Sequence, residues 1–232
     1  MSTEIVSPQV VFEDRQLIVV IKPNGYLSQG DFSDRLDILE WCRSRVAANR
    51  PAGGHPFVGL CHRLDRQVGG LMVVAKTSKA ASRISAQFRD RTIEKIYSAL
   101  CLGVFGEREG ELRQSLTRDG RLTRLSEKGE NGTEAILSYQ VAASGFIGET
   151  RVSKLLVKLF TGFKHQIRAQ LASIGHPVYG DFLYGAPGAP EGIEAIALCS
   201  SHLSFIHPIS REKLAFDCSL DGFWPFGDFI AD

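Results

Sequence analysis

Within Cys61-His62-Arg63-Leu64-Asp65-Arg66-Gln67-Val68-Gly69-Gly70-Leu71, an aspartate stands between two arginines, where a short apolar run gives way to a Gly-Gly turn. Two guanidinium groups beside one carboxylate favour its ionised form, which would leave Asp65 able to act as a nucleophile or a base. The glycines that follow would let a substrate backbone approach closely. A second cluster, Thr161-Gly162-Phe163-Lys164-His165-Gln166-Ile167-Arg168, opens an expected helix with a group of donors. Helix N-termini attract anions, so this cluster could hold a phosphate or pin a carboxylate. The polar turn Gly175-His176-Pro177-Val178-Tyr179-Gly180-Asp181 could rim the same place. The competing bland readings are a salt bridge flanking a hairpin for the first cluster and a solvated helix face for the second.

Other chemistries lose their usual signatures. The chain has no GxGxxG opening a helix, no GxxxxGK[ST] and no GxSxG, which argues against dinucleotide binding, P-loop hydrolysis and nucleophile-elbow ester hydrolysis. Cys199, His202 and His207 offer CxxH and Hx4H spacing, but without a second cysteine pair they read as packed residues, and no metal is expected. Five scattered cysteines with no CxxC pair suit reduced thiols and a cytoplasmic or similarly reducing compartment. No stretch is apolar and long enough for a membrane span, and the first residues carry no leader-like pattern.

The elements that must position these residues follow from periodicity and turn chemistry. Leu17–Ile21 reads as a buried strand ended by Lys22-Pro23-Asn24-Gly25, and a helix is expected over 34–48 with Ser33 as its cap. Phe57–Cys61 and Gly70–Ala75 read as extended, with a helix capped by Ser78 running to Phe88 and a longer strand over Ile93–Leu102. The polar stretch 103–132 suggests short strands and exposed turns. Strand patterns return at Ala135–Ala142 and Val152–Phe160, and a helix over His165–Ile174 stops at Gly175. The segment 186–192 is too rich in Pro and Gly for regular structure, and Ile196–Ile206 and Lys213–Cys218 are strands or short helices. Strands in runs broken by a few helices predict an α+β fold built mainly on antiparallel sheet.

The strings HRLDRQVGGL, EKIYSAL, LFTGFKHQIRAQLASIGHPVYGDFLYG and HLSFIHP, in this order and preceded by VVFEDRQLIVVIKPNG, resemble the successive motifs of the RluA-type pseudouridine synthases. The resemblance spans about residues 10–210. It implies a single catalytic domain over 10–220, with 1–9 as an N-terminal extension and 221–232 as a tail. It also implies a large, bent, mainly antiparallel mixed sheet flanked by helices, with a central active-site cleft. The activity implied is isomerisation of a uridine in RNA to pseudouridine, with neither cofactor nor metal. By matching position, the catalytic aspartate falls on Asp65, the active-site tyrosine on Tyr97 and the aspartate-pairing arginine on Arg168. Arg63 matches a motif arginine at the RNA, and His62, Arg66, Lys164, His165 and Gln166 are candidate RNA contacts beside it. Two departures stand out: Val68-Gly69 where the family usually has Thr-Ser, and Thr161-Gly162-Phe163 where it commonly has TGR.

Length and charge fit this expectation. The 232 residues, 44% hydrophobic and 23% charged, exclude a disordered tail protein, a collagen-like repeat and a membrane protein. That length is expected to hold the catalytic domain without a separate RNA-binding module. The net charge of +1 hides an uneven distribution, because residues 62–128 hold 14 Lys/Arg against 8 Asp/Glu while residues 181–232 hold 2 against 8. A basic middle of the chain is what RNA binding by a nearly neutral protein requires. The partner expected is ribosomal or transfer RNA, with no DNA and no membrane, bound by a monomer. Two other readings are a non-catalytic RNA-binding or RNA-folding factor on the same scaffold and a nucleoside glycosidase. The latter is weakened because Asp65 has no partner acid at motif-like spacing.

Overall fold

The computed structural model describes residues 6–31, 36–49, 56–187, 195–219 and 228–232. The expected cap Ser33, the loop over 50–55, most of the Pro/Gly segment and residues 221–227 lie outside them. The fold class is α+β, with twelve strands and three α-helices among the described residues. The chain groups into two compact units, Met1–Glu94 with Ser200–Ser219, and Lys95–Cys199 with Leu220–Asp232.

In the first unit, β1 (Gln9–Glu13) pairs antiparallel with β2 (Leu17–Lys22), and β2 pairs antiparallel with β4 (Gly69–Ala75). The two-residue β3 (Gly59–Leu60) runs beside the end of β4, covering less than the expected Phe57–Cys61. The sequences LIVVIK and GGLMVVA carry no polar alternation because every residue of both strands is buried. Each fully buried aliphatic side chain there contributes about 1.5–3 kcal/mol of transfer free energy. On the far side of β4 lies β10 (Leu198–Ile206), which pairs antiparallel with β11 (Lys213–Asp217).

Helix α2 (Ser78–Arg89) buries Ala80 and Ile84 and is capped by Thr77, whose hydroxyl accepts the Ala80 N–H at 3.2 Å. The cap therefore falls one residue before the expected Ser78. Helix α1 spans Ile38–Ala48 and starts later than expected. Its cap is Asp37, whose carboxylate accepts the Glu40 N–H at 2.8 Å. The preceding backbone is committed elsewhere: Leu27 N–H donates to the Leu36 carbonyl and Ile38 N–H to the Leu27 carbonyl. Leu36, within the span expected to be helical, is consequently outside the helix and 50% exposed.

In the second unit the strand order is β5 (Glu94–Leu102), β9 (Thr150–Leu159), β8 (Thr133–Ile147), β6 (Glu109–Asp119), β7 (Leu122–Leu125), paired antiparallel throughout. The stretch expected to hold only short strands contains the eleven-residue β6. Its side chains alternate between exposed and half-buried, so the strand is specified by pairing with β8 more than by an apolar face. Gly120, at φ +56°, is the first central residue of the two-residue β6–β7 turn, where a positive φ lets the hairpin follow the strand twist. Phe229–Ala231, in the stretch expected as a tail, forms β12 on the free end of β8.

Helix α3 (Gln166–Ser173) is the expected short helix, and Gly175 ends it as expected. Gly175, at φ +84°, donates to Ala172 while His176 N–H donates to Leu171, which closes the last turn on itself. Among the described residues no helix is long and apolar enough to cross a membrane.

Candidate active site

In the first unit, the loop carrying Asp65 is tied down on both sides of that residue. Ser28 Oγ donates to the Leu64 carbonyl at 2.7 Å and accepts the Leu64 N–H at 3.0 Å. The Arg66 carbonyl accepts from Gly25 N–H at 2.9 Å and from Lys22 Nζ at 3.1 Å. Lys22 is fully buried, and its ammonium also donates to the carbonyls of Pro23 and Tyr26, at 3.0 and 2.8 Å. An ammonium removed from water is tolerated only when such acceptors replace its hydration. The Asp65 carbonyl accepts Val68 N–H at 3.0 Å, closing the turn. The carboxylate therefore stands, half-buried, on a backbone it cannot easily swing away from.

The candidate RNA contacts around it have unequal freedom. Arg63 is exposed and forms no ion pair among the described residues. His62 is built into the fold: its Nε2 accepts the Val73 N–H at 3.0 Å, and its ring stacks on Phe88 with centroids 4.5 Å apart. Arg66 is half-buried, and its backbone carbonyl is what Lys22 and Gly25 hold. Of the first departure, Val68 is buried, and a Cβ on Gly69 would lie 2.6 Å from Asn24 Oδ1. The Asn24 amide occupies the space where a serine side chain would stand.

In the second unit, Tyr97 lies on β5 opposite Val157 and is 9% exposed. Arg168, 2% exposed on α3, is clasped by Asp181, with Nε to Oδ2 at 2.6 Å and Nη2 to Oδ1 at 2.7 Å. Its guanidinium also lies 5.0 Å from the centre of the Tyr184 ring. A bidentate pair buried this deeply fixes the plane of the guanidinium, and removing one partner from such a pair typically costs about 3–5 kcal/mol. Sequence reasoning placed Asp181 only on the rim and missed Tyr184, Ser28 and the burial of Lys22. The available signal was a lone lysine closing an otherwise aliphatic strand.

The donors expected to meet RNA at the start of α3 divide in the same way. Gln166 is 2% exposed. Its Nε2 donates to Ile136 and Gln170, and its Oε1 accepts from Thr161 Oγ1 and Phe163 N–H. Expected as an RNA contact, it is instead a clamp joining α3 to β8, because every polar position of its amide already has an internal partner. His165, at φ +55°, sets its Nδ1 3.0 Å from the Tyr184 hydroxyl. Lys164 is exposed with no ion pair among the described residues. Phe163, where the resemblance leads one to expect arginine, is half-buried, and its N–H donates to Gln166 Oε1 at 3.0 Å.

Burial pushes the Cys42 and Cys61 thiols up to about 12, so almost no thiolate forms near neutrality. His202 Nδ1 faces Asp217 at 2.7 Å, while His207 Nδ1 accepts the Ser210 N–H at 2.9 Å. These two histidines are thus directed to separate partners, and no group of three possible metal ligands occurs among the described residues.

One unit thus carries a carboxylate on a pinned loop, and the other an arginine locked in a buried pair. The RNA pseudouridylate synthase family matches residues 16–173, and the chain belongs to it. Within that family it is of RluA type. It is 34% identical over 206 residues to a dual-specificity RNA pseudouridine synthase RluA of Vibrio parahaemolyticus, covering 87% of this chain and 79% of that one. It is 31% identical over 227 residues to the ribosomal large subunit pseudouridine synthase D of Zymomonas mobilis, covering 91% and 69%. Among solved structures it resembles human RNA pseudouridylate synthase domain containing 1, with a TM-score of 0.78 and 25% identity over 97% of this chain and 89% of that one. The chain is thus a pseudouridine synthase acting on RNA.

Proposed function

We propose that Asp65 is the catalytic carboxylate, that Tyr97 and Arg168 complete the site, and that the substrate is one particular uridine in a structured ribosomal or transfer RNA. The observation that carries this reading is the family match over residues 16–173 together with the loop that fixes Asp65 from both sides. Isomerisation breaks C1′–N1, forms C1′–C5, moves a proton off C5 and leaves one on N1, so it conserves atoms and electrons and needs no cofactor. Asp65 acts at the sugar, by adding to C1′ or by removing a sugar proton; both routes need an ionised carboxylate held in place. Tyr97 stacks on the uracil and assists loss of the C5 proton, while Arg168 keeps the carboxylate charged and oriented. The target base must leave its stack, at about a few kcal/mol, which favours uridines in loops. Arg63 and Lys164, exposed and without acid partners among the described residues, are the best placed of the candidate RNA contacts. The names of the two relatives, one dual-specificity and one ribosomal, support both RNA classes. The enzyme works as a monomer, and it works in the cytoplasm, the compartment being supported by its five cysteines, all of them thiols outside any disulfide.

The test uses RNA labelled with tritium at uridine C5. Asp65→Asn is expected to lower tritium release by at least about 10⁴-fold while leaving RNA binding and the unfolding transition in place. Undiminished release by that variant would end the assignment of Asp65. Mapping pseudouridine in cellular RNA with and without the gene would identify the target, since the site that disappears names the RNA and the position together.

A further inference from the structure

We propose that Arg121, Lys164 and Phe182 form a docking surface for a single-stranded stretch of RNA flanking the target uridine; this rests on the reading of the chain as an RNA-modifying enzyme. The surface lies wholly in the second unit, and Thr123 organises it. Thr123 is buried on β7, where its hydroxyl donates to the Lys164 carbonyl at 2.8 Å and its N–H donates to the Tyr184 hydroxyl at 2.9 Å. One residue thereby joins the tip of the β6–β7 hairpin, the residue before the α3 cap and the one-turn 3-10 helix Phe182–Tyr184. Arg121 is the second residue of the two-residue β6–β7 turn, two positions before Thr123 in the chain.

What these segments present outward is unusual for this protein. Phe182 is 80% exposed, and Leu183 beside it is 46% exposed. Arg121 and Lys164 are exposed and form no ion pair among the described residues. Two other cations of the hairpin differ, because Arg113 is paired with Glu134 and Glu111, and Arg124 with Glu130 and Asp119, while Arg118 donates to the Gly120 carbonyl at 3.2 Å. Two cations without ion pairs and an open aromatic ring, carried on segments that Thr123 joins, match a nucleotide's two surfaces, phosphate and base face. An apolar protein partner would use Phe182 and Leu183 but gain nothing from the cations.

The experiment measures binding of a fluorescent oligouridine to the full chain across a salt series, alongside tritium release from C5-labelled RNA. Phe182→Ala is expected to weaken oligouridine binding about tenfold, and Phe182→Trp to restore it. The doubly substituted Arg121→Ala, Lys164→Ala protein is expected to lower the slope of log affinity against log salt by about 1.4. In tritium release the loss should appear in KM more than in kcat. Unchanged affinity and slope in both folded variants would overturn the surface, and would do so with the enzyme reading intact if the wild-type protein still releases tritium. Weakened binding in the variants of a wild-type protein that modifies no RNA would uphold the surface and remove the enzyme reading instead.

Discussion

A Cβ at residue 69 would press on Asn24, whose amide lies beside the backbone that Lys22 begins. Gly69→Ala should therefore destabilise the protein by about 1–3 kcal/mol as an overpacked buried site. The same change in an Asn24→Ala background should cost about 1 kcal/mol less, a coupling that urea unfolding of the four proteins in the cycle would measure. Equal costs in the two backgrounds would mean that Asn24 is not what excludes a side chain there. At this scale the sequence was legible where a residue's type announced its role, as with Asp65 between arginines or Gly175 at a helix end. It was not legible where the role depends on a partner far along the chain. Gln166 reads as a polar residue at a helix start, yet its partners Ile136 and Gln170 turn it inward. Arg168 reads as a cation, and only the turn that returns at Asp181 shows that it is held by two oxygens.

Elements defined by a run of aliphatic residues, such as β2 and β4, could be bounded from sequence to within a residue or two, because burial on both faces leaves no other reading. Helix α1 was misplaced at its start because a backbone pairing with Leu27, absent from any local pattern, claims the preceding residues. The join between β1, α1 and β4 offers a pH test. Glu13 on β1 accepts from Lys76 and Arg45, both at 2.8 Å. Desolvation of its carboxyl works to raise the pKa, but those two hydrogen bonds and charges outweigh it and hold Glu13 below the usual carboxylate range. The pair's contribution is therefore full above the ordinary glutamate value and is lost as pH falls through the lowered one. Glu13→Gln should lower the urea midpoint at pH 7, by an amount equivalent to about 1 kcal/mol, and the difference should shrink as pH falls below the ordinary glutamate value and vanish once Glu13 is protonated in the folded protein. A second test concerns β12. A Cβ on Gly145 would meet the Ile230 carbonyl oxygen at 2.0 Å, a backbone atom that cannot rotate away. Gly145→Ala should detach Phe229–Ala231 from β8, seen as rapid amide exchange at those residues while exchange in β9 stays slow.

For the molecule as a whole, net charge proved a poor guide and the charge count along the chain only a partial one. The excess of cations in residues 62–128 is real, but Arg113 and Arg124 are neutralised by neighbouring carboxylates, so fewer positive charges are free for RNA than the count suggests. The division into units carries a consequence for how the protein is made. The first unit takes Met1–Glu94 and Ser200–Ser219, so a ribosome must synthesise all of Lys95–Cys199 before that unit has its last two strands. Until β10 emerges, the part of the β4 edge that β3 and His62 leave uncovered is an open apolar strand edge, a ready template for pairing with another chain. A fragment ending at Glu94 should therefore aggregate or remain unfolded, and a well-dispersed amide NMR spectrum from a soluble fragment would contradict this. The nascent chain faces an interval in which a fully buried strand waits for a partner encoded more than a hundred residues later, and during that interval a chaperone would have an exposed strand edge to protect.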